Sequence, residues 1–563
     1  MPMPPRRTAP TLLTALLTVT LALPVSAQKD VRLPDLGSSA NALISPQEAQ
    51  DYGASMLRQM RSMDMVVDDP QLDAYINDVG FRLVSNSDKP KDHFTFFIVK
   101  DSQINAFAAP GGYVAVNSGL FTITRSESEL AGVLAHEIGH ITQNHLQRAF
   151  EASKKDAPLM ALVLLGAIAA GASSHSGDAP MAVLAGGQGL LAQKSINFTR
   201  HDEIEADRVG ILTLANAGYD PNAMANFFQR MEDVLSAGSG GDDIPALLQT
   251  HPVTVMRISD AKSRADALIA AQKQEVNEKT MNRQLWEKST APVAFLNDPT
   301  ALAQSSTASA RMDTYAFMRE RVRVLAGDAP KLATYYASNL QNQHGFDTPW
   351  NRYGYAIALI RSGRGGAAVG QLQPLLKSHP DSQILKLALA DAQLESGQRD
   401  AALAIYQQLN TESPRDRAVA LAYANALTTD SDVSQAIQAT NLLRPLLSDT
   451  DDPEIYTAFA RASDKAGDHV RAGEAYADAS YYSGRPFDAM EQLKRMLNRD
   501  DLDYYARTRI QARITELTPL LLELHKRKIQ TADNSSTPQQ LNRDDQCSER
   551  FCFSMGRTSD DAF

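Results

Sequence analysis

His136-Glu137-Ile138-Gly139-His140 sets two imidazoles four residues apart with a carboxylate beside the first. On a helix that spacing is one turn, so both rings leave one face and can share a metal ion. The flanks predict the helix: Ser126 and Glu129 form an S-x-x-E capping box, and Leu130, Val133, Leu134 and Ile138 follow at helical spacing. One continuous helix over residues 127–147 is expected. On it His145 falls off the stripe that carries His136 and His140.

Two imidazoles leave a catalytic zinc one protein ligand short. A histidine later in the same motif does not supply it, because Gln143 stands where that pattern needs Gly and Leu146 where it needs His. Glu203-Ile204-Glu205-Ala206-Asp207 does. In a helix Glu203 and Asp207 share a face, so Glu203 can bind the metal while Asp207 accepts the free ring N–H of a liganding histidine. Glu205 points about 200° away from Glu203 and is expected in solvent or paired with Arg200 or Arg208. This is the gluzincin donor set. His201, two residues before Glu203, is not a favoured ligand.

The segments Asn105-Ala106-Phe107-Ala108-Ala109-Pro110-Gly111-Gly112-Tyr113, HEIGH, EIEAD and Thr250-His251-Pro252, in this order, resemble the zinc peptidase family that includes HtpX, the CaaX-prenyl proteases and the mitochondrial Oma-type proteases. The resemblance in motif order runs from about residue 44 to about residue 525. It implies an edge strand, Tyr113, Val114, Ala115, Val116 and Asn117, against which an extended substrate is added. For an exported member carrying repeats it further implies protein substrates among misassembled outer-membrane β-barrel proteins, and the barrel assembly machinery as docking partner.

Export is read from Met1–Ala27: Arg6 and Arg7, an apolar core from Leu12 to Leu23, and Val25-Ser26-Ala27 as a cleavage site before Gln28. A periplasmic location follows. Loss of the two arginines would move the formal charge from −11 to −13, which argues against nucleic acid as a partner. The two cysteines, Cys547 and Cys552, sit in a polar C-terminal stretch; a short bridge, an intermolecular one and none are all open readings.

The chain divides into a peptidase part (44–271), a polar helical connector (272–315), a repeat part (316–525) and a tail (526–563) expected to be disordered. In the repeat part Ser362-Gly363-Arg364 and Ser396-Gly397-Gln398 lie 34 residues apart, as do Pro380 and Pro414. That is the tetratricopeptide period. The fold class is therefore mainly α with a small β-sheet: a gluzincin-type zinc metallopeptidase domain followed by an α-solenoid of tetratricopeptide repeats, whose concave side would bind peptide or protein.

Two segments stay open. Leu159–Ala172, short of the ~20 residues that span a bilayer, and Met181–Leu191 read as a buried helical pair, or as a flap or membrane-dipping element touching a membrane surface. His251, just before Pro252, reads as an extended-segment histidine that could fill a fourth zinc position and hold the enzyme off, or hydrogen-bond the tetrahedral oxyanion and help catalysis. Zn2+, one ion held by His136, His140 and Glu203, would activate a water, with Glu137 as general base. A chaperone or assembly scaffold with a secondary or self-blocked protease site is the rival reading.

Overall fold

The computed structural model describes residues 45–149, 200–237, 245–289 and 313–526. The expected signal peptide (1–27), segment 159–191 and both cysteines lie outside the described residues.

A three-stranded sheet is built from β1 (Thr95–Val99), β2 (Ala106–Ala109) and β3 (Tyr113–Asn117) in the order β1-β3-β2. β1 runs parallel to β3, and β2 antiparallel to it. The β2–β3 turn holds Gly111 at φ 81° and Gly112 at φ 84°, a left-handed pair open to glycine at no steric cost. This corrects the expected edge strand. Tyr113–Asn117 is the central strand, buried at all five positions, and the edges are Thr95–Val99 and Ala106–Ala109. An uninterrupted apolar run such as Tyr-Val-Ala-Val belongs to a strand covered on both faces, and that pattern outweighs its nearness in sequence to the histidine helix.

Helix α1 (Pro46–Ser62) starts in a full capping box between Ser45 and Glu48, and α2 (Pro70–Ser85) is capped by Asp69. After α3 (Ser118–Ile123) comes α4 (Glu127–Thr142), the histidine helix. Ser126 caps it through the Glu129 N–H, but the Glu129 carboxylate accepts from the Arg125 N–H and pairs with Arg230 rather than closing the box. The helix ends short of residue 147. Asn144 adopts φ 56°, and a separate short helix, α5 (145–149), follows it. Asn is among the few residues other than Gly that accept this conformation.

Then follow α6 (200–216), α7 (Asn222–Ala237), α8 (Ala246–Thr250), α9 (Val255–Ser289) and α10 (313–325). The boundary expected at 271/272 falls inside α9, which carries no Gly or Pro to break it. The sheet packs on α2 and α4 through Ile76, Leu83, Phe96, Ile98, Val114, Leu134 and Ile138. The same apolar cluster continues into α10 through Tyr315 and Val322 and on to Tyr353 and Leu372, so peptidase and first repeat share one core. A bidentate Arg321–Asp69 pair is buried within it.

From Pro349 onward helices alternate in antiparallel pairs. Gly363, Gly397 and Gly467 take φ of 68°, 80° and 86° at the turn inside each pair, which is the physical content of the repeated glycine. The array curls back onto the peptidase: Arg61 donates to the Asp451 carbonyl at 2.8 Å, and the Arg58 guanidinium lies 4.7 Å from the Tyr481 ring centre. Among the described residues no helix is long and apolar enough to cross a membrane.

Candidate active site

Helices α4 and α6 meet where their side chains are smallest. A Cβ built on Gly139 would lie 3.0 Å from the Ala206 carbonyl oxygen, and one on Gly210 would lie 3.1 Å from the Ala135 backbone. Close backbone approach sets Glu203 and Asp207, one turn apart on α6, against His136 and His140 on α4. His251 reaches the same point from the end of α8, whose Leu247 N–H is anchored on the Ile104 carbonyl just before β2.

His136 Nε2 stands 3.0 Å from His140 Nε2, 3.4 Å from Glu203 Oε2 and 3.3 Å from His251 Nδ1. Glu203 Oε1 lies 3.4 Å from His140 Nε2 and 2.9 Å from His251 Nδ1. A tetrahedral ion with bonds of ~2.0–2.1 Å needs donor separations of about 3.3 Å. The four groups therefore fit a metal ion, and together they form the first of two such clusters among the described residues.

The electrostatics suit a cation. Burial works against a charge on His136, yet hydrogen bonding to Asp207 and Glu203 pushes it up to about 10. Burial and the neighbouring imidazoles hold His140 well below its ordinary value. For Glu203 burial is outweighed by hydrogen bonds from His136 and His251, which keep the carboxyl far below the carboxylate range. Asp207 Oδ1 is 2.9 Å from His136 Nδ1, where it can fix that ring's tautomer.

Glu137 is 1% exposed, and one of its oxygens has no hydrogen-bond partner. Burial raises its pKa against the pull of His251, His136 and a backbone hydrogen bond from Ala108. Ala108 is informative. In the β2–β3 register Ala106 and Ala108 occupy the pairs whose N–H and C=O point away from β3, so the free edge of β2 faces Glu137.

Two residues at the site do more than the sequence assigns them: Arg257, which no motif singles out, and His145, which falls off the stripe of the two liganding histidines. Arg257, on the first turn of α9, puts Nε and Nη2 on Asp207 at 2.7 and 2.8 Å, Nη1 on the Pro252 carbonyl at 2.9 Å, and the same Nη1 2.9 Å from Glu203 Oε2. It ties the His251 loop to the acidic helix. Its signal in the sequence is only an arginine six residues after a His.

The other is His145. The break at Asn144 swings its ring back until Nδ1 lies 2.7 Å from His140 Nδ1 and Nε2 3.2 Å from Glu205 Oε2. Burial and the Arg148 charge lower its pKa to about 4. Glu205 is paired with Arg148 at 2.6 Å and with His145, not with Arg200 or Arg208. No contact of His201 enters the site's geometry.

A model of peptidase family M48 matches residues 70–265, and one of the tetratricopeptide repeat matches residues 359–426. Over 522 residues the chain is 33% identical to the β-barrel assembly-enhancing protease of Yersinia pestis, covering 91% of this chain and 97% of that one. The protein of the same name from Escherichia coli K12 is 31% identical over 510 residues, 90% of this chain and 96% of the other. The mitochondrial metalloendopeptidase OMA1 of Schizosaccharomyces pombe is 31% identical over 184 residues, 33% of this chain and 50% of its own. Helix pairs behind a peptidase core and a cluster of His and Glu that can hold a metal agree with these matches, and the chain belongs to the family of β-barrel assembly-enhancing proteases, metallopeptidases of family M48 with a tetratricopeptide repeat region.

Proposed function

We propose that this chain is a periplasmic zinc endopeptidase that acts on unfolded or misassembled outer-membrane β-barrel proteins. The observation that carries the chemistry is the convergence of His136, His140, Glu203 and His251 at metal-binding distances, with Glu137 buried beside them. Zinc is favoured over harder cations because two or three of the donors are imidazoles. Zinc held there would polarise the scissile carbonyl and lower the pKa of a water toward ~7. Glu137, next to the first ligand, would take the proton of that water and deliver it to the leaving amine. Its partnerless oxygen supports this role.

The substrate-binding edge is assigned to Ala106–Ala109. Its outward backbone groups lie beside Glu137, so an extended peptide added there would cross the metal and be read by its backbone more than by its side chains. Such a mode suits unfolded protein. His251 is assigned as a fourth donor, which closes the site and keeps it latent until the Thr250-His251-Pro252 segment moves. The name of the relatives and the repeats support a role in quality control of β-barrel proteins, with the repeats recruiting substrate or the assembly machinery.

The test compares cleavage of an unfolded model substrate by wild type, Glu137→Gln and His251→Ala, with zinc measured in each. Wild type weak, Glu137→Gln slower by at least about 100-fold with zinc retained, and His251→Ala faster is the expected pattern. His251→Ala as silent as Glu137→Gln would transfer His251 to catalysis. No zinc-dependent cleavage by any variant would discard the protease reading in favour of a chaperone or scaffold.

A further inference from the structure

We propose that His145 is a positioning residue of the metal centre: it accepts the Nδ1–H of His140 and thereby fixes which ring nitrogen that ligand turns toward the metal. The inference rests on the reading that His136, His140 and Glu203 hold the ion. His140 Nε2 is the nitrogen that faces His136 Nε2 and Glu203. To bind a metal it carries a lone pair, which leaves the proton of the neutral ring on Nδ1. The atom 2.7 Å from that Nδ1 is His145 Nδ1, so His145 must present a lone pair there and hold its own proton on Nε2. That nitrogen points at Glu205 Oε2, 3.2 Å away, and the carboxylate is held in turn by Arg148 at 2.6 Å.

The chain of contacts is therefore guanidinium, carboxylate, imidazole, liganding imidazole. It extends the familiar pairing of a carboxylate with a metal-bound histidine by one ring. His136 has the short version, with Asp207 directly on its Nδ1. His145, Asp202 and Glu205 are also close enough to be a metal site of their own. Arg148 argues against that use: its Nη2 lies 3.0 Å from Asp202 and 2.6 Å from Glu205, where a second cation would have to go. His145 is 5% exposed, so it is neither a surface residue nor free to swing out.

The experiment follows zinc release from the full-length mature protein into a chelator, and the visible spectrum of its cobalt form. The series is wild type, His136→Ala, His145→Phe, His145→Asn and Glu205→Leu. Phe fills the ring's place without an acceptor, whereas Asn puts Oδ1 near the position of Nδ1. Expected are zinc release about 10–100-fold faster from His145→Phe, release within about threefold of wild type from His145→Asn, and a smaller acceleration in Glu205→Leu. The cobalt bands of His145→Phe should shift while those of His145→Asn do not, and melting of the chelator-treated proteins reports whether each variant folds. If wild type holds zinc and His136→Ala loses it, yet His145→Phe releases it at the wild-type rate, the metal reading stands and this proposal falls. Equal loss in the Phe and Asn variants would overturn it too. Should His145→Phe fail to fold, release from Glu205→Leu at the wild-type rate decides against it. Wild type that binds no zinc removes the metal reading and this proposal together.

Discussion

Glu203 and Asp207 in the candidate metal centre and Asp68, Asp73 and Asp452 where the repeats return to the peptidase are carboxylates taken wholly or partly out of water, but they are balanced in opposite ways. At the centre Arg257, His136 and His251 surround two carboxylates, and both are held below the ordinary range despite burial. At the junction Asp68, Asp73, Asp451 and Asp452 lie around Arg61, with Lys100 acting on Asp68 from farther off. There burial wins, and Asp68, Asp73 and Asp452 are all raised. One cluster is kept ionised and ready for a cation. The other gains by taking up protons.

Removing a guanidinium breaks the comparison most strongly. Arg257→Met leaves Asp207 and Glu203 buried without their cation and should destabilise the metal-free protein by about 3–5 kcal/mol. Added zinc should restore much of that loss, because an ion bound only by the folded state stabilises it by mass action. Arg321→Met strands Asp69 and should cost a similar amount, but zinc should restore nothing. Thermal melting with and without zinc checks both. Equal recovery, or none, in the two variants would mean that the carboxylates at the centre are no readier for an added cation than Asp69, a buried carboxylate outside both clusters that Arg321 holds low.

What could be read in the sequence divides along a similar line. His136 and His140, or Glu203 and Asp207, are related by one helical turn, so spacing alone puts each pair on a face. Gly363 and Gly397 repeat because each turn inside a helix pair needs a left-handed residue. Arg257 lies 50 residues from Asp207 and joins it through tertiary packing, that of α9 on α7 included, which no local pattern records. The order β1-β3-β2 likewise depends on a parallel pairing between strands that are not neighbours in sequence, so no local pattern shows that the strand the resemblance makes an edge is the middle one.

A smaller and opposite effect is expected at the junction. Asp452 caps the helix Pro453–Lys465, and burial, with Asp68 nearby, raises its pKa to about 6 against the pull of the Glu454 N–H. A raised carboxyl favours the folded state while it is protonated, below its unfolded value of 3.8, and that contribution is lost as pH rises through about 6. Asp452→Asn keeps a good capping residue and removes the charge. At pH 7.5 it should raise the melting temperature by about 2–4 °C, and at pH 4 leave it nearly unchanged. A variant less stable than wild type at both pH values would show that the carboxylate is paired and ionised after all.

The smallest expected effect is that of Asn144→Gly, at the position where the two kinds of signal meet. Its φ of 56° does for α4 what the glycines do for the repeat helices, and it carries His145 onto His140. Asn144→Gly should be nearly neutral, since glycine enters this conformation at no steric cost. Asn144→Val should cost about 1–3 kcal/mol if the turn is kept. If instead valine lets α4 run on as one helix, the variant would melt near wild type but lose zinc to a chelator as fast as His145→Phe. Melting temperature and zinc release measured on the same two proteins separate these cases, because strain lowers the first alone and a straightened helix moves the second alone. Either result bears on how the centre is built: four candidate donors surround one point, and a single left-handed asparagine decides whether a fourth imidazole is there to hold one of them in line.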